Sequence, residues 1–99
     1  MLDIKKEQNG GKLTLYLKGR LDTNTAPQME ENIKDSLEGV TELILDMEGL
    51  EYISSAGLRV ILFAKKTMDN NGGMKVINSN PDVKDVFAVT GFLDIIDLE

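Results

Sequence analysis

The chain has 99 residues, with 11 Lys plus Arg against 17 Asp plus Glu and a formal charge of −6, and this size sets a single domain over residues 1–99 as the expectation. Cysteine and histidine are both absent, which excludes disulfides, thiol chemistry, thiolate or imidazole metal sites and any Ser-His or Cys-His catalytic pair. Both halves of the sequence are net acidic, so no basic face is expected for a nucleic-acid backbone.

Met1-Leu2-Asp3-Ile4-Lys5 lacks the basic-then-apolar order of a signal peptide, and no apolar run approaches the length of a membrane span. A cytoplasmic domain without a membrane span is the expectation. From its mass the folded surface should be roughly 5,600 Å², enough burial for a modest core without covalent staples.

Leu2 to Glu7 and Lys12 to Lys18 flank Gln8-Asn9-Gly10-Gly11, a pattern that predicts a β-hairpin. Leu13, Leu15 and Leu17 alternate with polar residues and should share the face that meets the helices. Gly19 to Asn24 reads as a connection. Thr25 followed by Gln28 has the form of a capping box, and Ala26, Met29, Ile33 and Leu37 then make one apolar helical stripe that stops at Gly39. Pro27 is tolerated in the first turn, where its missing donor has no intrahelical acceptor.

Glu42 to Met47 carries the dense run Leu43-Ile44-Leu45 and predicts an interior strand, with Glu48 to Ser54 as a crossing loop. A second helix should run from Ser55 to Asn70 or Asn71, ending at Gly72-Gly73. Leu58, Ile61, Leu62 and Met68 form its main stripe, Val60 and Ala64 lie on the flank, and Phe63 points further away. Met74 to Asn78 predicts a strand with Met74, Val76 and Asn78 on one face. Pro81 opens a third helix buried through Val83, Val86 and Phe87, Gly91 closes it, and Phe92 to Leu98 is a final extended segment. The order implies an α/β fold: a mixed four- to five-stranded sheet, parallel across its central crossovers, with helices packed mainly on one side.

Chemistry concentrates in Tyr52-Ile53-Ser54-Ser55-Ala56-Gly57-Leu58, where two hydroxyls stand at the entry to a helix. A helix start favours an anion, so a phosphate on Ser54 or Ser55 would be stabilised there. The plainer reading is that one serine caps the helix and Gly57 permits close packing. No enzyme is indicated. The serines have no histidine base, Lys65 and Lys66 do not stand in a Ser-x-x-Lys spacing, and no phosphate-binding Gly-Lys-Ser/Thr loop is present. Asp22, Asp46 and Glu48 match no cation-loop spacing, and neither a metal nor a cofactor is expected.

Gly19-Arg20-Leu21-Asp22-Thr23-Asn24-Thr25-Ala26 and Ile53-Ser54-Ser55-Ala56-Gly57-Leu58-Arg59-Val60-Ile61-Leu62 resemble the two signature stretches of the STAS domain family, in its anti-sigma-factor antagonist type. The hairpin start, the apolar strand before the Ser-Ser loop and Val86 to Gly91 extend the resemblance over nearly the whole chain. It implies a small domain that binds an anti-sigma factor with serine kinase activity and so frees a sigma factor for transcription. It also implies a serine phosphatase as second partner. Matched through Gly57 and Leu58, the phosphorylated serine of that family falls on Ser55, with Ser54 as the alternative acceptor. Many phospho-regulated members have Asp at the position of Ser54 and a second serine at that of Ala56, so this chain departs from them on both sides of Ser55.

The family's loop acid corresponds to Asp22, for which two readings stand: a contact to the partner, or a local turn closed by its carboxylate. The expected partner patch comprises Asp22, Thr23, Asn24, Ser54, Ala56, Gly57, Arg59, Val60 and Phe63, with burial under the hairpin or an adjacent helix as the alternative for Phe63. The rival function is a STAS-like scaffold or accessory subunit of a signalling or transport complex without a sigma-factor role.

Overall fold

A computed structural model describes all of residues 1–99. Strands β1 (Leu2–Asn9) and β2 (Lys12–Leu21) form the opening hairpin, closed by Gly10 and Gly11. Gly10 sits at φ +60°, a left-handed value that glycine adopts without a Cβ penalty. Helix α1 (Ala26–Ser36), strand β3 (Glu42–Ile53), helix α2 (Ser55–Asp69), strand β4 (Met74–Ile77) and helix α3 (Pro81–Val89) follow. A 3-10 turn at Phe92–Asp94 then leads into the two-residue β5 (Asp97–Leu98).

The sheet order is β1-β2-β3-β4-β5, antiparallel between β1 and β2 and parallel elsewhere. Each parallel step crosses over through one helix. Right-handed crossovers that advance in one direction leave their helices on one side of the sheet, giving the expected one-sided, mixed five-stranded architecture. Leu13, Leu15 and Leu17 of β2, Leu43, Leu45 and Met47 of β3 and Val76 of β4 meet Met29, Ile33, Ile61, Ala64, Met68, Val83 and Phe87 in one buried cluster. The exposed surface is 5505 Å², close to the value expected from mass.

Several elements differ from the sequence reading. Gly19 to Leu21 is not a connection but the end of β2, and Glu48 to Ile53 is not a crossing loop but the second half of β3; the two segments pair, Leu21 opposite Ile53. Register shifts between Tyr16 and Lys18 and between Gly19 and Arg20 place extra residues on β3, and such bulges break the alternation by which a strand is recognised. Met47, Leu50 and Ile53 are all buried at a spacing of three. At the first bulge the Glu48 amide donates to Asp46 Oδ1 at 3.0 Å, and Asp46 Oδ2 accepts from Asn78 Nδ2 at 3.2 Å. Asn78 leaves the strand at φ +60° and therefore does not share the face of Met74 and Val76.

The capping box of Thr25 and Gln28 does not form. Thr25 makes no side-chain cap bond, and Gln28 Nε2 donates instead to Leu2 O at 3.0 Å. The buried arc of α2 is rotated toward α1, so Val60 (5% exposed) and Ala64 are buried while Leu62 is only half-buried. Within the expected final extended segment only Asp97–Leu98 is strand.

Phe87 is fully buried with its ring 6.2 Å from that of Phe92, whereas Phe63 is half-buried with Lys34 Nζ 5.8 Å from its ring centre. Phe87→Ala should therefore cost about 3–5 kcal/mol in urea denaturation and Phe63→Ala less than half of that. Equal losses would place Phe63 in the core proper.

Candidate functional site

The ends of β2 and β3 lie side by side and fix where α2 begins. The Ser54 amide donates to Leu21 O at 2.9 Å, which holds Ser54 in an extended conformation at φ −100° and ψ 176°. From there its Oγ accepts from the Gly57 amide at 3.3 Å and its carbonyl accepts from Leu58 N at 2.9 Å, so Ser54 is the N-cap. A Cβ on Gly57 would stand 2.7 Å from Leu21 Cγ, 2.9 Å from Leu21 O and 3.0 Å from Ile53 Cγ1. The first turn of α2 approaches the sheet ends only because that position is glycine.

Ser55 is consequently the first helical residue, directed away from the sheet and exposed, with no hydrogen bond engaging its hydroxyl. The first turn of α2 carries no acidic residue, so the positive end of the helix is uncompensated by a side chain. Among the hydroxyls of this loop, Ser54 is committed to the helix start and Ser55 is free.

Asp22 shapes the neighbouring loop. Its Oδ1 accepts from Asn24 N at 3.0 Å and from Thr25 N at 3.1 Å, while the Asp22 amide donates to Thr25 Oγ1 and Thr25 Oγ1 donates to Arg20 O. This is the turn-closing role, and it engages the Thr25 hydroxyl in the turn, so that Thr25 stands at the N-cap of α1 without a side-chain cap bond. Partial burial pushes the Asp22 carboxyl up, but the hydrogen bonds from Thr25 and Asn24 and the N-terminal ammonium outweigh it and hold Asp22 below the ordinary carboxylate range.

Between the starts of α1 and α2 lies an open cleft of about 190 Å³, lined by Thr23, Ala26, Pro27, Glu30, Ala56, Arg59 and Val60. The fold thus brings Thr23, Ala56, Arg59 and Val60 together. Val60, expected in the partner patch, is instead a buried wall of this cleft, because its side chain lies in the contact between α1 and α2. Phe63 lies a turn further along α2 against Lys34. Arg20 and Tyr52 were not singled out from the sequence, yet Arg20 stacks 4.3 Å from the Tyr52 ring centre and pairs with Asp22 Oδ2 at 3.7 Å. Their adjacency follows from the bulged register that sets Arg20 opposite Tyr52. No three carboxylates gather as a metal-holding group, and no helix is long and apolar enough to cross a membrane.

A one-sided mixed sheet that presents a free serine at the start of the helix after its central strand defines a STAS-type domain. The sequence model of the STAS domain matches residues 3–99, and the chain belongs to that family, on its anti-sigma-factor antagonist side. It is 37% identical over 96 residues to BtrV of Bordetella bronchiseptica, assigned as an anti-sigma factor antagonist, covering 95% of this chain and 83% of that protein. Its fold matches an anti-sigma factor antagonist from Mycobacterium paratuberculosis with a TM-score of 0.90 at 21% identity, over 99% of this chain and 85% of the other. It also matches the Bacillus cell fate determinant SpoIIAA in its phosphorylated form, with a TM-score of 0.76 at 21% identity, over 98% and 91% of the two chains.

Because the folded Asp22 carboxyl titrates below its unfolded value, its contribution to stability is complete above the ordinary carboxylate range and fades as pH falls through the folded value. Asp22→Asn keeps the accepting oxygen and removes the charge. The variant should lose less stability than the parent on acidification from about pH 5 to pH 3, read from urea midpoints. Parallel losses would show that Asp22 does not carry this dependence.

Proposed function

We propose that the protein is an anti-sigma factor antagonist that binds an anti-sigma factor with serine kinase activity, and that Ser55 is the residue through which this binding is switched. The observation that carries the reading is the division of labour in the loop: Ser54 is held as the cap, while Ser55 is exposed and unbonded on the same rigid start of α2. The similarity to BtrV and to SpoIIAA, the latter solved in a phosphorylated form, supports it.

In the unmodified state the partner covers Ser55, Ala56 and Arg59 at the helix start, together with Asp22, Thr23 and Asn24 on the adjacent turn. Ser54 and Gly57 hold this surface in place from beneath, and Val60 and Phe63 contribute the parts of their side chains that reach the cleft and the helix flank. Phosphoryl transfer forms the bond from Ser55 Oγ to phosphorus and breaks the terminal phosphoanhydride bond of ATP, with ADP leaving. The hydroxyl proton passes to a base of the kinase, since no histidine exists in this chain. The added charge of about −1.5 to −2 then has to be desolvated on docking and repels an acidic partner surface, so the complex loosens without a change of fold. A serine phosphatase restores the binding state by hydrolysis of the same bond.

Ser55→Asp should weaken binding to a cognate anti-sigma kinase by about tenfold or more, a loss of roughly 1.4 kcal/mol, with an unchanged circular dichroism spectrum and melting temperature. Undiminished affinity, measured by calorimetry, would remove Ser55 from the interface. Ser54→Ala should do the reverse: it costs about 1 kcal/mol of stability through the lost cap and leaves Ser55 able to accept phosphate.

A further inference from the structure

Ser55 and Arg59 are four residues apart on α2, and both are exposed. Side chains at that spacing stack on one helix face with Cβ atoms about 5–6 Å apart, and an acid one turn N-terminal to a base is the favoured order. The Arg59 guanidinium takes part in none of the ion pairs of the fold. Glu30 faces the same cleft from α1, but it pairs with Lys34 at 3.8 Å. The other guanidinium at this end of the molecule, Arg20, is already held by Asp22 and stacked on Tyr52. Arg59 is thus an uncommitted cation within one turn of the free serine.

We propose that Arg59 is the internal receptor for a phosphate on Ser55, swinging from the cleft between α1 and α2 to pair with the phosphate oxygens. The inference rests on the reading of Ser55 as the modified residue. A guanidinium fork matches phosphate oxygens two at a time, and such charge-assisted pairs are stronger than neutral hydrogen bonds. The pairing alters the docking surface in two places at once. Ser55 gains a bulky anion, and the cleft lined by Thr23, Ala56 and Glu30 loses the one cation on its wall, leaving Glu30 as its only charged group.

The test uses the full chain with phosphoserine installed at position 55 by expanded-code translation, so it needs no kinase. Phosphorus-31 NMR follows the second ionisation of the phosphate, ordinarily near 6, in the parent, Arg59→Gln, Arg59→Lys and Arg20→Gln backgrounds. The other charged groups on the elements that meet at this end are Arg20 on β2, Asp22 just after it, the N-terminal ammonium, Glu51 on β3 and Glu30 on α1, and they are the same in the parent and in both Arg59 variants. The parent should titrate about 0.5 unit or more below Arg59→Gln, with Arg59→Lys between them and Arg20→Gln close to the parent. The gap should shrink in 1 M salt, where exposed charges are screened within about 3 Å. Coincident titrations of parent and Arg59→Gln, or a larger shift from Arg20→Gln, would overturn the proposal. Failure of the Ser55 reading shows separately, as absence of phosphate on Ser55 after incubation of the unmodified chain with a cognate kinase and ATP.

Discussion

The site depends on a close approach that only glycine permits: at position 57 there is no room for a Cβ between the helix and the Leu21 side chain, the Leu21 carbonyl and the Ile53 side chain. Because the first turn of α2 lies this close to the strand ends, the Ser54 amide reaches Leu21 O and the Ser54 hydroxyl faces back toward the Gly57 amide. Any side chain at 57 would push the turn outward and break both bonds together. Ser55 inherits its exposure from this arrangement: Gly57 and Leu58 turn the buried side of the first turn toward the sheet ends, and Ser55 falls on the other side. What makes Ser55 available is therefore a packing constraint two residues downstream.

The neighbouring turn is fixed by an independent set of bonds. Asp22 closes it through two amides, Thr25 ties it to Arg20 O, and Arg20 is in turn held by Asp22 and Tyr52. Two rigid loops side by side form a preorganised surface, for which little ordering is required when a partner docks.

The order of elements, the helix-facing leucines of β2 and the start of α2 at Ser55 were legible in the sequence because each obeys a simple period or an end signal. The second half of β3 was not. Its bulges set Met47, Leu50 and Ile53 three apart, and the intervening Glu48, Gly49 and Glu51 have the composition of a loop. The information that this segment is a strand lies in β2, whose residues Lys18 to Leu21 supply the partner backbone, and in Asp46, whose carboxylate accepts the amide freed by the bulge. Thr25 misled for a related reason: it does stand at the N-cap, but its hydroxyl satisfies Arg20 O and the Asp22 amide and makes no cap bond. The aromatic and cationic pair of Arg20 and Tyr52 depends on the same bulged register and carries no local signal. Val60 was placed on a flank correctly by helical angle, but only the path of α1 decides that this flank is covered.

The serine at position 54 bears on how a phosphate would sit beside it. An aspartate there caps a helix as well as a serine does, but it sets a full negative charge next to the residue to be modified. With Ser54 as a neutral cap and no acid in the first turn, the positive end of the α2 dipole is left whole for an anion on Ser55. Like charges so close together disfavour the doubly ionised phosphate, so replacing the carboxylate by a hydroxyl removes a repulsion that an Asp-capped site has to overcome. The positive potential at this start then comes from the dipole and Arg59 together, and it opposes the overall −6 of the chain at the one place where a phosphate would be added.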